Sequence, residues 1–340
     1  MRTSSVLKRF YSGLISAVLL FIITVVLAEI PGKAELNDVD ILNKDQVIIN
    51  EVDDGSAGDD FFSKDLTRGC TLGLLIPSTL FLGIKSWDWG ESNNPKVADE
   101  GWFGRDTVFG GADKAGHFFA HYALQRVTYS IFDWTESGDD RKWAYSLGSS
   151  LAVGMFIEIG DSFSDYGLSV EDIVMDCTGI LTGAMLDYSP ILDGFFGFSV
   201  EYVPTKGFIA KADNNDLVKS YVDFVNDYSG WQYMLNFKIA GFRNLGFDVP
   251  LILRLLSVDV GWYTKGYSVN DTGKYSIPKE EWERNLFVGI SINSAQVVAE
   301  MWPSEYRNKG YKVIHTTLQY YHLPYERLPV PTRYVRDLNE

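Results

Sequence analysis

Apolar and polar residues in the middle of the chain follow the period of an α-helix. Three segments show this pattern, from about Ala112 to Phe132, from about Arg141 to Asp161 and from Ser169 to about Leu186. The connections between them are short, which favours antiparallel neighbours that run up, down and up. Ser169 is a helix-capping residue, and Asp172 stands where it can return the bond in a capping box.

From about Phe195 to Tyr325 the pattern changes to the two-residue alternation of a half-buried strand. It predicts strands over Phe196–Tyr202, Trp231–Ile239, Ser257–Tyr263, Leu286–Asn293 and Val313–Tyr321, with a short amphipathic helix over Asp216–Tyr228. An outer-membrane barrel needs about eight strands or more, so an antiparallel sheet is expected instead. Aromatic residues near the strand ends leave two arrangements open, a membrane-associated sheet and a soluble sheet packed on the helices. The predicted class is α+β, with a bundle of three to four apolar helices followed by an antiparallel β-sheet.

The start of the chain predicts export. Arg2, Lys8 and Arg9 precede an uncharged run from Tyr11 to Ala28, which has the layout of a signal peptide and the length of an N-terminal anchor. Residues 29–65 form an acidic linker. We therefore expect four parts, namely 1–28 as signal peptide or anchor, 29–65 as linker, 66–190 as helical domain and 191–340 as β-rich domain.

An apolar stretch precedes the three helices. It runs from Cys70 to Ile84, and Pro77 within it predicts a kinked or split helix. The loop that follows, residues 85–109, carries several tryptophans among glycines and charged residues, as at a boundary between water and an apolar phase.

The amino-acid composition argues against several classes of protein. With 30 Lys+Arg against 45 Asp+Glu, the formal charge of −15 is opposite to that of proteins that neutralise nucleic-acid phosphates. Apolar residues make up 46% of the chain, which is typical of an ordered protein. Two cysteines, Cys70 and Cys177, exclude a four-thiolate zinc site and leave room for one disulfide.

The most informative feature is where the polar residues of the three helices fall. In an up, down, up arrangement they gather at one end of the bundle: Asp113, Lys114, His117, His121, Glu158, Asp161, Asp172 and Asp176. Three interpretations stay open, a structural polar network, a divalent-metal site and an acid/base catalytic site. The candidate metal ligands are His117, His121, Glu158, Asp172 and Asp176. No nucleophile elbow, P-loop, dinucleotide fingerprint or His-Glu-x-x-His motif accompanies them.

The segments Gly111–Phe118, Glu158–Asp161 and Ser169–Gly179 together resemble the YfiM-like family of predicted periplasmic lipoproteins. The resemblance covers residues 111–187 and includes the polar cluster. The chain is also loosely similar to VanZ-type membrane proteins. It departs from the YfiM-like family in having no lipid-attachment motif after the apolar run and a long extension after the helices. The resemblance implies an envelope location and no particular reaction.

These observations predict an exported cell-envelope protein, periplasmic or membrane-associated, with a structural or interaction role. Membrane or envelope components are the expected partners, and nucleic acid is not. The alternative is a metal-dependent or acid/base hydrolase that acts on an envelope substrate through the His/carboxylate cluster. A cavity that opens onto His117 would favour the hydrolase.

Overall fold

A computed structural model describes residues 64–135, 137–212, 223–269, 272–303, 309–323 and 327–329. The predicted signal segment and nearly all of the acidic linker lie outside these residues, as does most of the predicted helix over 216–228. Two 3-10 turns, Asp223–Asn226 and Tyr228–Gly230, occupy its end. The division into domains at about residue 190 stays a prediction.

Four long helices form the first half of the fold, and the prediction of a helical bundle is confirmed. They are α1 (Lys64–Ser86), α2 (Ala112–Trp134), α3 (Asp139–Ser162) and α4 (Val170–Tyr188). Helix α2 is central, because it packs against α3, α4, α1 and the sheet. Helix α1 continues through Pro77 rather than splitting there.

Small residues allow the central helices to approach closely. At the crossing of α2 and α4, a Cβ atom on Gly179 would lie 2.2 Å from the carbonyl oxygen of Phe118, and one on Gly183 would lie 2.4 Å from Oε1 of Gln125. Ser146 and Ser150 of α3 are fully buried. Close backbone contact therefore brings the polar residues of three helices within reach of one another.

The second half is a five-stranded antiparallel sheet in the order β3 (Phe196–Tyr202), β4 (Trp231–Lys238), β5 (Leu256–Lys265), β6 (Glu283–Ile292), β7 (Arg327–Pro329). A separate two-residue parallel pair, β1 (Val97–Ala98) and β2 (Leu168–Ser169), ties the loop after α1 to the start of α4. Shorter helices are α5 (Pro190–Phe195), α6 (Lys206–Ala212), α7 (Leu251–Arg254), α8 (Ser294–Met301) and α9 (Lys309–Tyr320). The α+β class is thus confirmed, and four of the five predicted strands are present.

The predicted strand over Val313–Tyr321 is wrong, because this segment is helix α9. Its β-branched and aromatic residues favour a strand locally. Helix α9 packs against α8 and β3, and Tyr320 contacts Val127 and Ile131 of α2. These tertiary contacts outweigh a weak local preference.

The permitted disulfide is not formed, since Cys70 and Cys177 are both free thiols. Cys70 lies in α1, which packs mainly on α3, whereas Cys177 lies in α4, which packs mainly on α2.

Helices α3 and α4 show a partly inverted polarity: they expose many large apolar side chains and bury several polar ones beside Val153, Ile180 and Leu186. In α3 and α4 the buried side chains include Ser150, Glu158 and Asp176, while large apolar side chains point outward. The exposed apolar residues of these two helices are Leu151, Met155, Ile159, Val170, Val174, Leu181 and Met185. By length and composition α1 is able to cross a membrane, and only 17% of its most apolar window is buried.

The sheet repeats this inversion. One face buries Ser257, Asp259 and Ser291, and Asp259 accepts a hydrogen bond from the side-chain amide of Asn236 at 2.9 Å. On the β5 and β6 half of the other face, large apolar residues are 39–46% exposed: Val260, Leu286, Ile290 and Ile292.

Candidate functional site

The polar residues expected at one end of the bundle do converge there. Seven of the eight form a continuous set of contacts centred on α2: Asp113, Lys114, His117, His121, Glu158, Asp172 and Asp176. The eighth, Asp161, lies at the edge of the group. We call these eight residues, together with Glu100, the polar centre.

Lys114 is the cation of the polar centre. Its Nζ atom contacts Asp172 at 2.8 Å and Asp113 at 3.0 Å, and it donates a short hydrogen bond to Glu100. The lysine is 2% exposed. One ammonium group therefore contacts three buried carboxyl groups.

Glu100 was missed by the sequence analysis. It lies in the loop between α1 and α2, outside any periodic segment, so no helical spacing pointed to it. Burial raises the pKa of its carboxyl group to about 8, and the negative charge of Asp113 adds to the rise.

His117 joins α2 to α4. Its Nδ1 atom is 2.9 Å from Oδ1 of Asp176, and its Nε2 atom is 3.8 Å from Oδ1 of Asp113. The side chain is 17% exposed, the highest value among the members whose contacts are given above. Its position in α2 places it between two pairs of carboxylates.

His121 lies one turn further into the bundle and is 2% exposed. Its Nε2 atom is 3.4 Å from Oδ1 of Asp176, and its Nδ1 atom is 3.1 Å from the Ser150 hydroxyl. The Ser150 hydroxyl donates to the main-chain carbonyl oxygen of His121 at 3.3 Å. Contacts with both α3 and α4 therefore fix the position of His121 beside Asp176.

Glu158 links the end of α3 to the start of α4. Its Oε2 atom accepts a hydrogen bond of 2.7 Å from the main-chain N–H of Ser169. The predicted capping box is therefore only half formed: the Ser169 hydroxyl accepts from the N–H of Asp172 at 3.2 Å, but Glu158 takes the place predicted for the Asp172 carboxylate.

Asp161 is bound separately by the aromatic loop. Its Oδ1 atom accepts a 2.6 Å hydrogen bond from the indole N–H of Trp89, whose ring packs edge-on against Phe156 of α3. The tryptophan-rich loop thus covers the polar end of the bundle.

Two sets of three residues could hold a metal ion. In each set one donor atom per residue lies within 4.8 Å of the others: Asp113, His117 and Asp172, and also His117, Glu158 and Asp176. His117 belongs to both. A narrow surface crevice near the polar centre, with no room for a water-sized ligand, is lined by residues that include Glu100, Thr107, Asp113 and Lys114, and His117 is not among them.

Residues 99–189 match the model of a family described as predicted periplasmic lipoprotein (DUF2279). The matched segment contains the whole polar centre and confirms the resemblance over 111–187. No curated protein and no solved structure matches the chain. The match supports export to the periplasm.

Proposed function

Starting from the match of residues 99–189 to a periplasmic protein family, we propose that this chain is an envelope protein embedded in a membrane, with a structural or interaction role there. The observation that carries the proposal is the partly inverted polarity of the fold. Many polar and charged side chains are buried beside apolar ones such as Phe132 and Leu186, and large apolar side chains face outward from helices and sheet alike.

The uncharged stretches of α1 and α3 approach the thickness of the hydrocarbon core of a bilayer. Helix α1 has no charged residue from Gly69 to Ile84, and α3 has none from Trp143 to Ile157. At 1.5 Å per residue these stretches are about 24 Å and about 22 Å long. A hydrocarbon core is about 30 Å thick, and somewhat thinner in the bacterial outer membrane. Between Asp172 and Asp187 of α4 the one charged residue is Asp176, which is buried.

The apolar surface is also too distributed to be a single contact patch. It includes α1, α3 and α4 on the helical side and Val260, Leu286, Ile290 and Ile292 on the sheet. Soluble antiparallel sheets place apolar residues on the covered face and polar residues on the wet one. Here the arrangement is reversed, which suits hydrocarbon as the surrounding phase.

The competing hypothesis is a hydrolase that uses the polar centre. It requires a substrate-sized opening at His117, whose side chain is 17% exposed. The crevice nearby lies on the Glu100 side instead. The observations therefore favour the membrane role.

Two matched substitutions in α4 test the proposal. Leu181 lies in the middle of the outward apolar surface and is 67% exposed, and Tyr188 ends the helix and is 82% exposed. A charged residue near the bilayer centre costs about 2.5–3.5 kcal/mol. We expect Leu181→Arg to lower the amount of chain that resists alkaline extraction from membranes, whereas Tyr188→Arg leaves it near the wild-type level.

Both side chains are already exposed, so a soluble protein would tolerate both arginines equally. Wild-type membrane retention and unfolding midpoints for both variants would contradict the proposal.

A further inference from the structure

We propose that His117, Glu158 and Asp176 form a binding site for a divalent first-row metal ion such as Zn²⁺. The three residues come from α2, α3 and α4, and their donor atoms lie within 4.8 Å of one another. The inference concerns the polar centre alone and holds whether or not the outer surface faces lipid.

The first argument is the distribution of charge. Lys114 contacts Glu100, Asp113 and Asp172, and Asp161 is bound by Trp89. Glu158 and Asp176 are not among the carboxylates that Lys114 contacts. They are 1% and 2% exposed, and they face the same histidine. Two buried carboxyl groups that face one histidine and no lysine or arginine can both be ionised only at a high cost, unless a further cation joins them.

The second argument is independent of the first and concerns individual oxygen atoms. Within the described part of the chain, Oε1 of Glu158 and Oδ2 of Asp176 are buried and have no hydrogen-bond partner. Buried polar atoms are nearly always satisfied. An ion held between them would use the two oxygens that the protein leaves unpaired.

The third argument is the close packing of α3 against Asp176. A Cβ atom built on Gly154 of α3 would lie 2.5 Å from Oδ2 of Asp176 and 3.1 Å from Cε1 of His121. A larger residue at this position would therefore displace the carboxylate. Glycine allows Asp176 to lie between α3 and His121, with its unpaired oxygen held in the cluster.

The chemical types of the three ligand atoms limit which metal ion can bind. One imidazole nitrogen and two carboxylate oxygens suit Zn²⁺, which takes His and Asp/Glu ligands, and also Mn²⁺. His121 contacts the same Oδ1 atom of Asp176 as His117 does, at 3.4 Å, and is thus a positioning residue that orients a ligand.

The test uses the full chain in detergent, freed of metal by chelator and then titrated with Zn²⁺ alone. We expect Zn²⁺ to be retained after desalting and to raise the unfolding temperature of the wild type. Glu158→Gln and Asp176→Asn should abolish both effects while keeping side-chain volume. His121→Gln should weaken Zn²⁺ binding by roughly 10- to 100-fold, as loss of an orienting partner does.

The matched control is Asp165→Asn, an exposed carboxylate that pairs with Lys96 at 3.2 Å. It should bind Zn²⁺ like the wild type. Circular dichroism of the metal-free variants shows whether each has folded, and the uncharged amides should not impair the metal-free fold. Wild-type protein that retains no more Zn²⁺ than Asp176→Asn, with an unfolding temperature that Zn²⁺ does not move, would overturn the proposal.

Discussion

Replacing Lys114 by methionine should destabilise the protein strongly, because this lysine is the ammonium partner of three buried carboxyl groups. Its Nζ atom lies 2.8 Å from Asp172 and 3.0 Å from Asp113, and its side chain is 3% exposed. Methionine has a similar length and no charge, so Lys114→Met removes the cation and keeps most of the packing. Breaking a buried ion pair in this way costs about 3–5 kcal/mol, since the carboxylates are left uncompensated.

Lys96→Met is the matched control. The same substitution there breaks the pair with Asp165, whose side chains are 44% and 96% exposed, and exposed pairs contribute at most about 1 kcal/mol. Chemical unfolding of the three proteins in detergent measures the difference. Adding Asp172→Asn to Lys114→Met should recover part of the loss, because it removes one stranded charge. A loss for Lys114→Met no larger than for Lys96→Met would refute the assignment of Lys114 as the counter-ion of the polar centre.

Two further predictions concern packing and pH. Gly179→Ala should destabilise the bundle by about 1–3 kcal/mol, because its Cβ would lie 2.2 Å from the Phe118 carbonyl oxygen. A Cβ atom on Gly148 would have no neighbour within 4 Å, so Gly148→Ala should be neutral or stabilising. Equal unfolding midpoints for Gly179→Ala and Gly148→Ala would contradict this prediction. The folded pKa of Glu100, about 8, lies above its ordinary 4.5, so the folded state holds a proton that the unfolded chain releases. Stability should therefore fall by about 1.4 kcal/mol per pH unit between these values for this group. The free energy of unfolding, plotted against pH over that range, should change less for Glu100→Gln than for the wild type. Parallel plots for the two proteins would count against a raised pKa of Glu100.

Much of the secondary structure follows from local pattern. The predicted strand Phe196–Tyr202 has the bounds of β3, and the helix predicted over 112–132 is α2 with two more residues at its end. A long segment with one clear period specifies whether it forms a helix or a strand. The segment of α9 does not, because its conformation depends on contacts with β3 and α2, which are distant in the sequence, as well as with the neighbouring α8.

The convergence of the polar centre could also be anticipated, because short loops force neighbouring helices to run antiparallel. Glu100 and Trp89 could not, since both lie in an irregular loop where no spacing restricts the direction of a side chain. The part-buried pair of Arg126 and Asp187, 2.9 Å apart between α2 and α4, was missed as well. Each residue alone looks like a solvent-facing charge on a helix.

The direction in which the apolar faces point was the hardest feature to predict. Helical periodicity shows that one side of a helix is apolar, but it does not show whether that side faces the interior or the surroundings. The pattern of β5 has the same ambiguity, because an alternating strand fits a soluble sheet and a lipid-facing one equally well. Tertiary packing decides, and here it places Asp259 inside and Val260 outside.

The most direct test of the inverted polarity is the accessibility of single spin labels in phospholipid vesicles. Labels are placed at Leu181→Cys and Asp140→Cys in a Cys70→Ser, Cys177→Ser background, since both positions are exposed in the structure. We expect the label at 181 to be relaxed by oxygen, which concentrates in hydrocarbon, and protected from a water-soluble nickel chelate. The label at 140, at the charged start of α3, should show the reverse. A label at 181 that the nickel chelate reaches as readily as the label at 140, or that neither reagent reaches, would contradict a lipid-facing surface.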